Sequence, residues 1–235
     1  MHYRYSVAAI AALLLVAGQA SAQSVTYNFE DGTDQGWGHK FSDDASEAFP
    51  IDNVAGSNRM RVLRNGDFQE AERNTGNAAD PLFQALTAAS ANEAGYVISY
   101  DYYVDTSTFG AGAGGFLQVG TYVNTGSGYY AQNFGTPKEF ELNGAQLASG
   151  QVFSGTVTQT FAQKGFNLPD AQNFFRLGLI INGDGANQVV HFDNISVRPV
   201  PEPASLALFG LALPALMMRR RRRARRPAAP RSPGV

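Results

Sequence analysis

The central part of this chain predicts an all-β fold, an antiparallel β-sandwich, and three observations point there. Seven short stretches rich in β-branched and aromatic residues recur between residues 25 and 197. Clusters of Gly, Asn, Asp and Ser separate them, as turns separate strands. Almost no helical periodicity lies between them, so nothing supplies the crossovers that parallel strands need.

The chain opens with Arg4, an apolar run from Val7 to Val16, and the small residues Ala20, Ser21 and Ala22. This order predicts a secretory signal peptide over 1–22, cut before Gln23. The run is shorter than the roughly 20 residues a spanning helix needs. The sandwich is expected over 23–199. It contains "VTYNF" (25–29), "NRMRVLR" (58–64), "GYVISYDYYVD" (95–105), "GFLQVGTYVNT" (115–125), "GTVTQTF" (155–161), "RLGLIIN" (176–182) and "VVHFDNISV" (189–197). One helix is expected, in "DPLFQALTAASANEA" (80–94), with Asp80 and Pro81 as its start and an apolar spacing that fades.

Strand alternation assigns faces. Leu117, Val119 and Val123 point toward the core, with Phe116, Gln118, Tyr122 and Asn124 opposite. Leu177, Leu179 and Ile181 point inward, with Arg176, Ile180 and Asn182 opposite. The outer faces therefore mix rings, amides and a guanidinium group.

Charge and cysteine content exclude several functions. Residues 23–198 hold nine basic and nineteen acidic residues, a balance of −10 that would repel nucleic acid. The sequence has no cysteine, so no disulfide framework is expected, and 176 residues suffice for one core. His39 and His191 are too few for a multi-histidine zinc centre. Asp101 and Asp105 flank Tyr103 on one strand face, a weak basis for a glycosidase pair. "FGAGAGG" (109–115) lacks the ending of a phosphate loop and reads as a flexible connection. No catalytic residue is assigned.

Two segments bracket the sandwich: "YNFEDGTDQGWG" and "HFDNISV". Together with "ISYDYYVD" and "RLGLIINGDG", they resemble jelly-roll carbohydrate-binding modules of the galactose-binding-like type. That resemblance implies a structural Ca²⁺ held by Glu30 and Asp193, completed by backbone carbonyls. Calcium's preference for hard oxygens suits the pair, although both also fit as solvated or arginine-paired strand-end carboxylates. The resemblance also implies a saccharide site. Its candidates are Tyr122, Gln118, Trp37, Tyr103, Arg176 and Asn182, with Tyr102, Tyr129 and Tyr130 behind them. Aromatic faces stack on sugar rings, while amide and guanidinium groups bond hydroxyls. Trp37, the sole tryptophan, suits the core equally well.

The C-terminal segment 200–235 combines Pro201-Glu202-Pro203, the apolar run Ala204–Met218 and eight arginines. It resembles the PEP-CTERM sorting signal of bacterial surface proteins. Fifteen apolar residues span about 22 Å as a helix, short of the ~30 Å hydrocarbon core, and the arginines hold the tail on the cytoplasmic side. The resemblance implies temporary insertion in the inner membrane of a Gram-negative bacterium. Processing by an exosortase near the Pro-Glu-Pro motif would follow, with delivery to the cell surface or exopolysaccharide matrix. A permanent tail anchor is the alternative. Function is accordingly expected to be a non-catalytic surface or biofilm-matrix protein that binds polysaccharide. A purely structural matrix protein and a polysaccharide hydrolase are the rivals.

Overall fold

The computed structural model describes residues 23–39, 49–64, 68–110, 112–125, 128–131, 139–168 and 172–200. The expected signal peptide, the Pro-Glu-Pro motif, the apolar run and the arginine tail lie outside these residues. Among the described residues no helix is long and apolar enough to cross a membrane. The chain divides into a unit ending at Val200 and a second unit, Pro201–Val235.

Twelve strands are described, and every pairing among them is antiparallel. In chain order they are β1 (Val25–Tyr27), β2 (Trp37–His39), β3 (Ile51–Val54), β4 (Ser57–Arg64), β5 (Phe68–Thr75), β6 (Tyr96–Asp105), β7 (Phe116–Thr125), β8 (Gly128–Ala131), β9 (Phe140–Asn143), β10 (Val152–Thr160), β11 (Phe175–Gly183) and β12 (Gln188–Pro199). Sheet A runs β10-β6-β12-β4-β3, with β1 also on β12. Sheet B runs β2-β5-β11-β7-β8, with β9 also on β7. All seven expected stretches are strands.

Alternation sets what each sheet buries. Sheet B contributes Leu117, Val119, Val123, Leu177, Leu179 and Ile181, and sheet A contributes Met60, Val62, Ile98, Tyr100, Val190, Phe192 and Val197. Together they form one core, whose described residues all lie between Val25 and Val197.

A polar cluster sits in that core. Glu139 Oε1 accepts the Thr121 N–H and O–H, each at 2.8 Å, and pairs with Lys164, while Oε2 accepts the Tyr100 hydroxyl at 3.0 Å. Both ionic side chains are 2% exposed, so each charge depends on the other. Burial, then Glu139, drives the Tyr100 hydroxyl's pKa well above its ordinary value.

The expected helix is α1 (Pro81–Ala91), started by Asp80, whose carboxylate accepts the Leu82 N–H at 2.8 Å. Leu82, Ala85, Leu86 and Ala89 are buried at helical spacing, so the apolar face is sustained by alanines rather than fading. Two single-turn helices, α2 (Gly144–Leu147) and α3 (Phe161–Lys164), each carry a capping box.

The glycine-rich connection is pinned, not flexible, over its described part. Asp184 Oδ1 accepts the Gly115 and Phe116 N–H groups at 2.6 and 3.0 Å, and Gln188 Nε2 donates to the Ala113 and Phe116 carbonyls. These bonds hold the Asp184 pKa below its ordinary value. Gly114 has φ +85°, and a Cβ there would come within 2.4 Å of Gly185 N, so glycine is needed for contact as well as for conformation.

Candidate functional site

Three of the six saccharide candidates, Gln118, Arg176 and Asn182, are partly exposed on the outer face of sheet B. Register pairs Asn182 with Gln118 and with Phe68, Arg176 with Asn124 and with Asn74, and Gly178 with Tyr122 and with Glu72. Gln118 also pairs with Glu141 on β9. Strand spacing then sets Phe68, Asn182, Gln118 and Glu141 in a row across four strands, about 14 Å long. A parallel row holds Asn74, Arg176 and Asn124.

Polar groups on this face order one another. Gln118 Nε2 donates to Glu141 Oε2 at 2.6 Å. Arg176 Nε lies 2.8 Å from Asn74 Oδ1 and 2.7 Å from Glu72 Oε2, with the Arg176 side chain 24% exposed. The Arg176 guanidinium also stands 5.6 Å from the Phe174 ring centroid. Rotamers fixed in this way lose little entropy when a ligand arrives.

Three candidates are placed differently from the expectation. Tyr122 does point away from Leu117, Val119 and Val123, but it is fully buried, with its hydroxyl 3.5 Å from Glu70 Oε2. Its register partner Gly178 has no side chain, and the ring occupies that space. Trp37 is core, 1% exposed and edge-on to Tyr27 at 5.7 Å. Tyr103 is on the outer face of sheet A, paired with His191 and Ser154. Tyr102 is on the inner side of β6, its ring 4.0 Å from Phe140. The side chains of Tyr129 and Tyr130 lie outside the described residues.

Sequence reasoning missed Phe68, which is 59% exposed at the end of the row beside Asn182. The signal was a lone phenylalanine opening the otherwise polar "FQEAERNT".

Glu30 and Asp193 come together through a residue that sequence reasoning also missed. Ser57 Oγ lies 2.7 Å from Glu30 Oε1 and 2.8 Å from Asp193 Oδ2. A hydroxyl has one proton, so only one carboxylate can accept from it. Ser57 is set there by a two-residue hairpin, Ala55 and Gly56, both at positive φ. Phe29 at φ 54° and Asn194 at φ 49° flank the two acids, the latter at the bulge in β12. Burial, despite the Ser57 and Asn194 hydrogen bonds, raises the Asp193 pKa above its ordinary value. Two carboxylates and one hydroxyl are hard oxygens of the kind Ca²⁺ takes, though fewer than the roughly six to eight it needs. Among the described residues no group of three or more His, Cys, Asp or Glu is placed to hold a metal.

The two strand acids Asp101 and Asp105 are engaged in structure. Asp101 accepts from Thr156 Oγ1 at 2.5 Å and from Asn194 Nδ2 at 2.8 Å, and Asp105 accepts the Ser107 N–H at 3.0 Å.

Comparison with known proteins now adds to this geometry. Residues 199–223 match the PEP-CTERM protein-sorting motif. That motif marks an exported surface protein processed by an exosortase. No curated protein matches the chain. Among solved structures, CBM28, a carbohydrate-binding module specific for non-crystalline cellulose, aligns over 72% of this chain and 90% of its own, at 18% identity and TM-score 0.51. The CBM27-1 module of Caldicellulosiruptor saccharolyticus, solved with mannohexaose, aligns over 77% and 99%, at 14% identity and TM-score 0.44. The xylan-binding module CBM15 aligns over 78% and 100%, at 14% identity and TM-score 0.40. The CBM28 likeness shows a shared β-sandwich fold, in agreement with the two antiparallel sheets of this chain's body.

Proposed function

We propose that this protein is a non-catalytic polysaccharide-binding module displayed at the surface, or in the exopolysaccharide matrix, of a Gram-negative bacterium. The observation that carries the reading is the row Phe68, Asn182, Gln118 and Glu141: one exposed ring followed by amide and carboxylate groups across a sheet. A pyranose stacked on Phe68 would present its hydroxyls to Asn182 and Gln118, with Arg176 six residues along the same strand, about 20 Å away, in reach of a longer chain. CBM28, which shares the sandwich fold, is specific for non-crystalline cellulose by its printed description, in line with the same reading.

Sorting follows from the motif. The apolar run Ala204–Met218 would insert briefly in the inner membrane, and processing near Pro201-Glu202-Pro203 would free the body. Glu30, Asp193 and Ser57 would hold a structural Ca²⁺, whose charge lets both carboxylates stay ionised.

The internal pairing of Arg176 and Gln118 favours a second reading, in which the face is only a rigid surface in the matrix. A hydrolase is disfavoured by the structural engagement of Asp101 and Asp105. A glycan array probed with residues 23–200, together with an assay for released reducing ends, separates the three. Binding without release supports the proposal, no binding supports the second reading, and release supports the hydrolase.

A further inference from the structure

The outer face of sheet A carries its own recess, on the opposite side of the sandwich from the Phe68 row. It measures about 520 Å³ and is lined by residues of β3, β6 and β12 and by Thr108, a volume within the range of small-ligand sites, roughly 300 to 1,000 Å³. Tyr103 supplies an aromatic wall, and Ile51, Val54 and Val189 supply apolar ones. Asp52, Asn53, Asp105 and His191 supply the polar groups.

Several of these groups are held in place before any ligand arrives. His191 Nε2 stands 3.2 Å from Asp52 Oδ2; since a carboxylate only accepts, Nε2 carries the proton. Arg61 Nε lies 3.8 Å from the same oxygen, and the Asp52 side chain is 41% exposed. The Tyr103 ring is met by the His191 ring at 6.1 Å, nearly edge-on, and by the Arg59 guanidinium at 5.6 Å. Asp105 Oδ1 already accepts from Ser107, so a ligand hydroxyl would be taken by Oδ2. Burial lowers the His191 pKa, favouring its neutral form.

The lining selects among ligand classes. It holds two carboxylates, and the arginines beside it, Arg61 at Asp52 and Arg59 at Tyr103, at most balance them, so an anion gains no net attraction. It has no group of three metal-ligating side chains among the described residues, which disfavours a metal. Carboxylate, amide and hydroxyl acceptors beside a ring and aliphatic side chains suit a molecule with hydroxyl donors on one side and C–H groups on the other. We propose that this recess is a second saccharide site, one that takes a single unit or chain end of a neutral glycan. The recess stands on its own residues. Only the consequence that one body would tie two glycan chains together rests also on the sheet B reading.

The test is a nuclear magnetic resonance titration of ¹⁵N-labelled residues 23–200 with the methyl glycosides of glucose, galactose, mannose and xylose, and with methyl glucuronide as the anionic control. The amides of Asn53, Thr108 and Val189 should shift with at least one neutral glycoside and not with the glucuronide. Tyr103→Ala and Asp52→Asn should each weaken that response roughly tenfold, while Phe68→Ala leaves it unchanged. Asp52→Asn is nearly isosteric at a side chain 41% exposed, so it keeps the test sound if Tyr103→Ala unfolds. Silence at these amides with all four neutral glycosides, an equal response to the glucuronide, or a response unaltered in Asp52→Asn overturns the second site. Loss of polysaccharide binding in Phe68→Ala speaks to the sheet B face alone, so the two readings fail separately.

Discussion

The Tyr122 ring on β7 fills the space that a side chain at Gly178 on β11 would take: a Cβ built on Gly178 would come within 2.1 Å of Tyr122 Cε1 and Cζ. The two residues are register partners, and Gly178 has no positive φ, so its requirement is one of space. Gly178→Ala should therefore destabilise the body by about 1 to 3 kcal/mol through overpacking. Tyr122→Ala should cost about 3 to 5 kcal/mol, by analogy with other large buried rings. The double variant should cost less than the sum, because removing the ring makes room for the methyl group. Urea denaturation of the four proteins checks this, and strict additivity would contradict the contact.

Much of the sandwich was legible because seven of its strands alternate apolar and polar residues as two-sided sheets do. β5 was not, since its inward residues are Gln69, Ala71, Arg73 and Thr75, and only one of them is apolar. α1 looked weak because Ala85 and Ala89 do the packing that leucines would have advertised. The parity of Tyr122 was readable but its burial was not, since burial depends on the partner Gly178, 56 residues away in sequence. Glu30 and Asp193 were legible through the bracket resemblance, whereas Ser57 between them depends on a hairpin whose first turn residue is an alanine in the left-handed region.

The buried Glu139–Lys164 pair makes a second test. Lys164→Met leaves a carboxylate 2% exposed without its cation and should cost about 3 to 5 kcal/mol. Adding Glu139→Gln should recover part of this loss, since the remaining amide can still serve Thr121 and Tyr100. Thermal melts of both variants check the order. A Lys164→Met protein as stable as the parent would contradict the pair's role.

Calcium should act on the Glu30–Ser57–Asp193 cluster. In residues 23–200 stripped with a chelator, added Ca²⁺ should stabilise the fold by about 2.7 kcal/mol at a concentration 100 times its Kd. Glu30→Gln and Asp193→Asn should each abolish the gain. The raised Asp193 pKa sets the pH dependence: without the ion, its contribution is fully present below the ordinary carboxylate pKa and is lost as pH rises through the folded-state value. The stabilisation by calcium should thus be larger at neutral pH than near pH ~4. A flat calcium titration in differential scanning calorimetry removes the ion from the account.

Sorting can be tested in the cell. Glu202→Ala keeps the apolar run and the arginines but breaks the Pro-Glu-Pro element, so the uncut precursor should accumulate in the inner-membrane fraction. Fractionation and immunoblotting read the result, and unchanged processing would contradict a role for Glu202 in recognition.

The central claim is that the Phe68 row binds polysaccharide, and affinity electrophoresis of residues 23–200 through gels containing the host's own exopolysaccharide tests it most directly. The parent protein should be retarded. Phe68→Ala should lose roughly tenfold or more in affinity, with its melting temperature nearly unchanged because the ring is 59% exposed. A parent protein that migrates identically with and without the polysaccharide, or a Phe68→Ala variant retarded as strongly as the parent, would contradict the account.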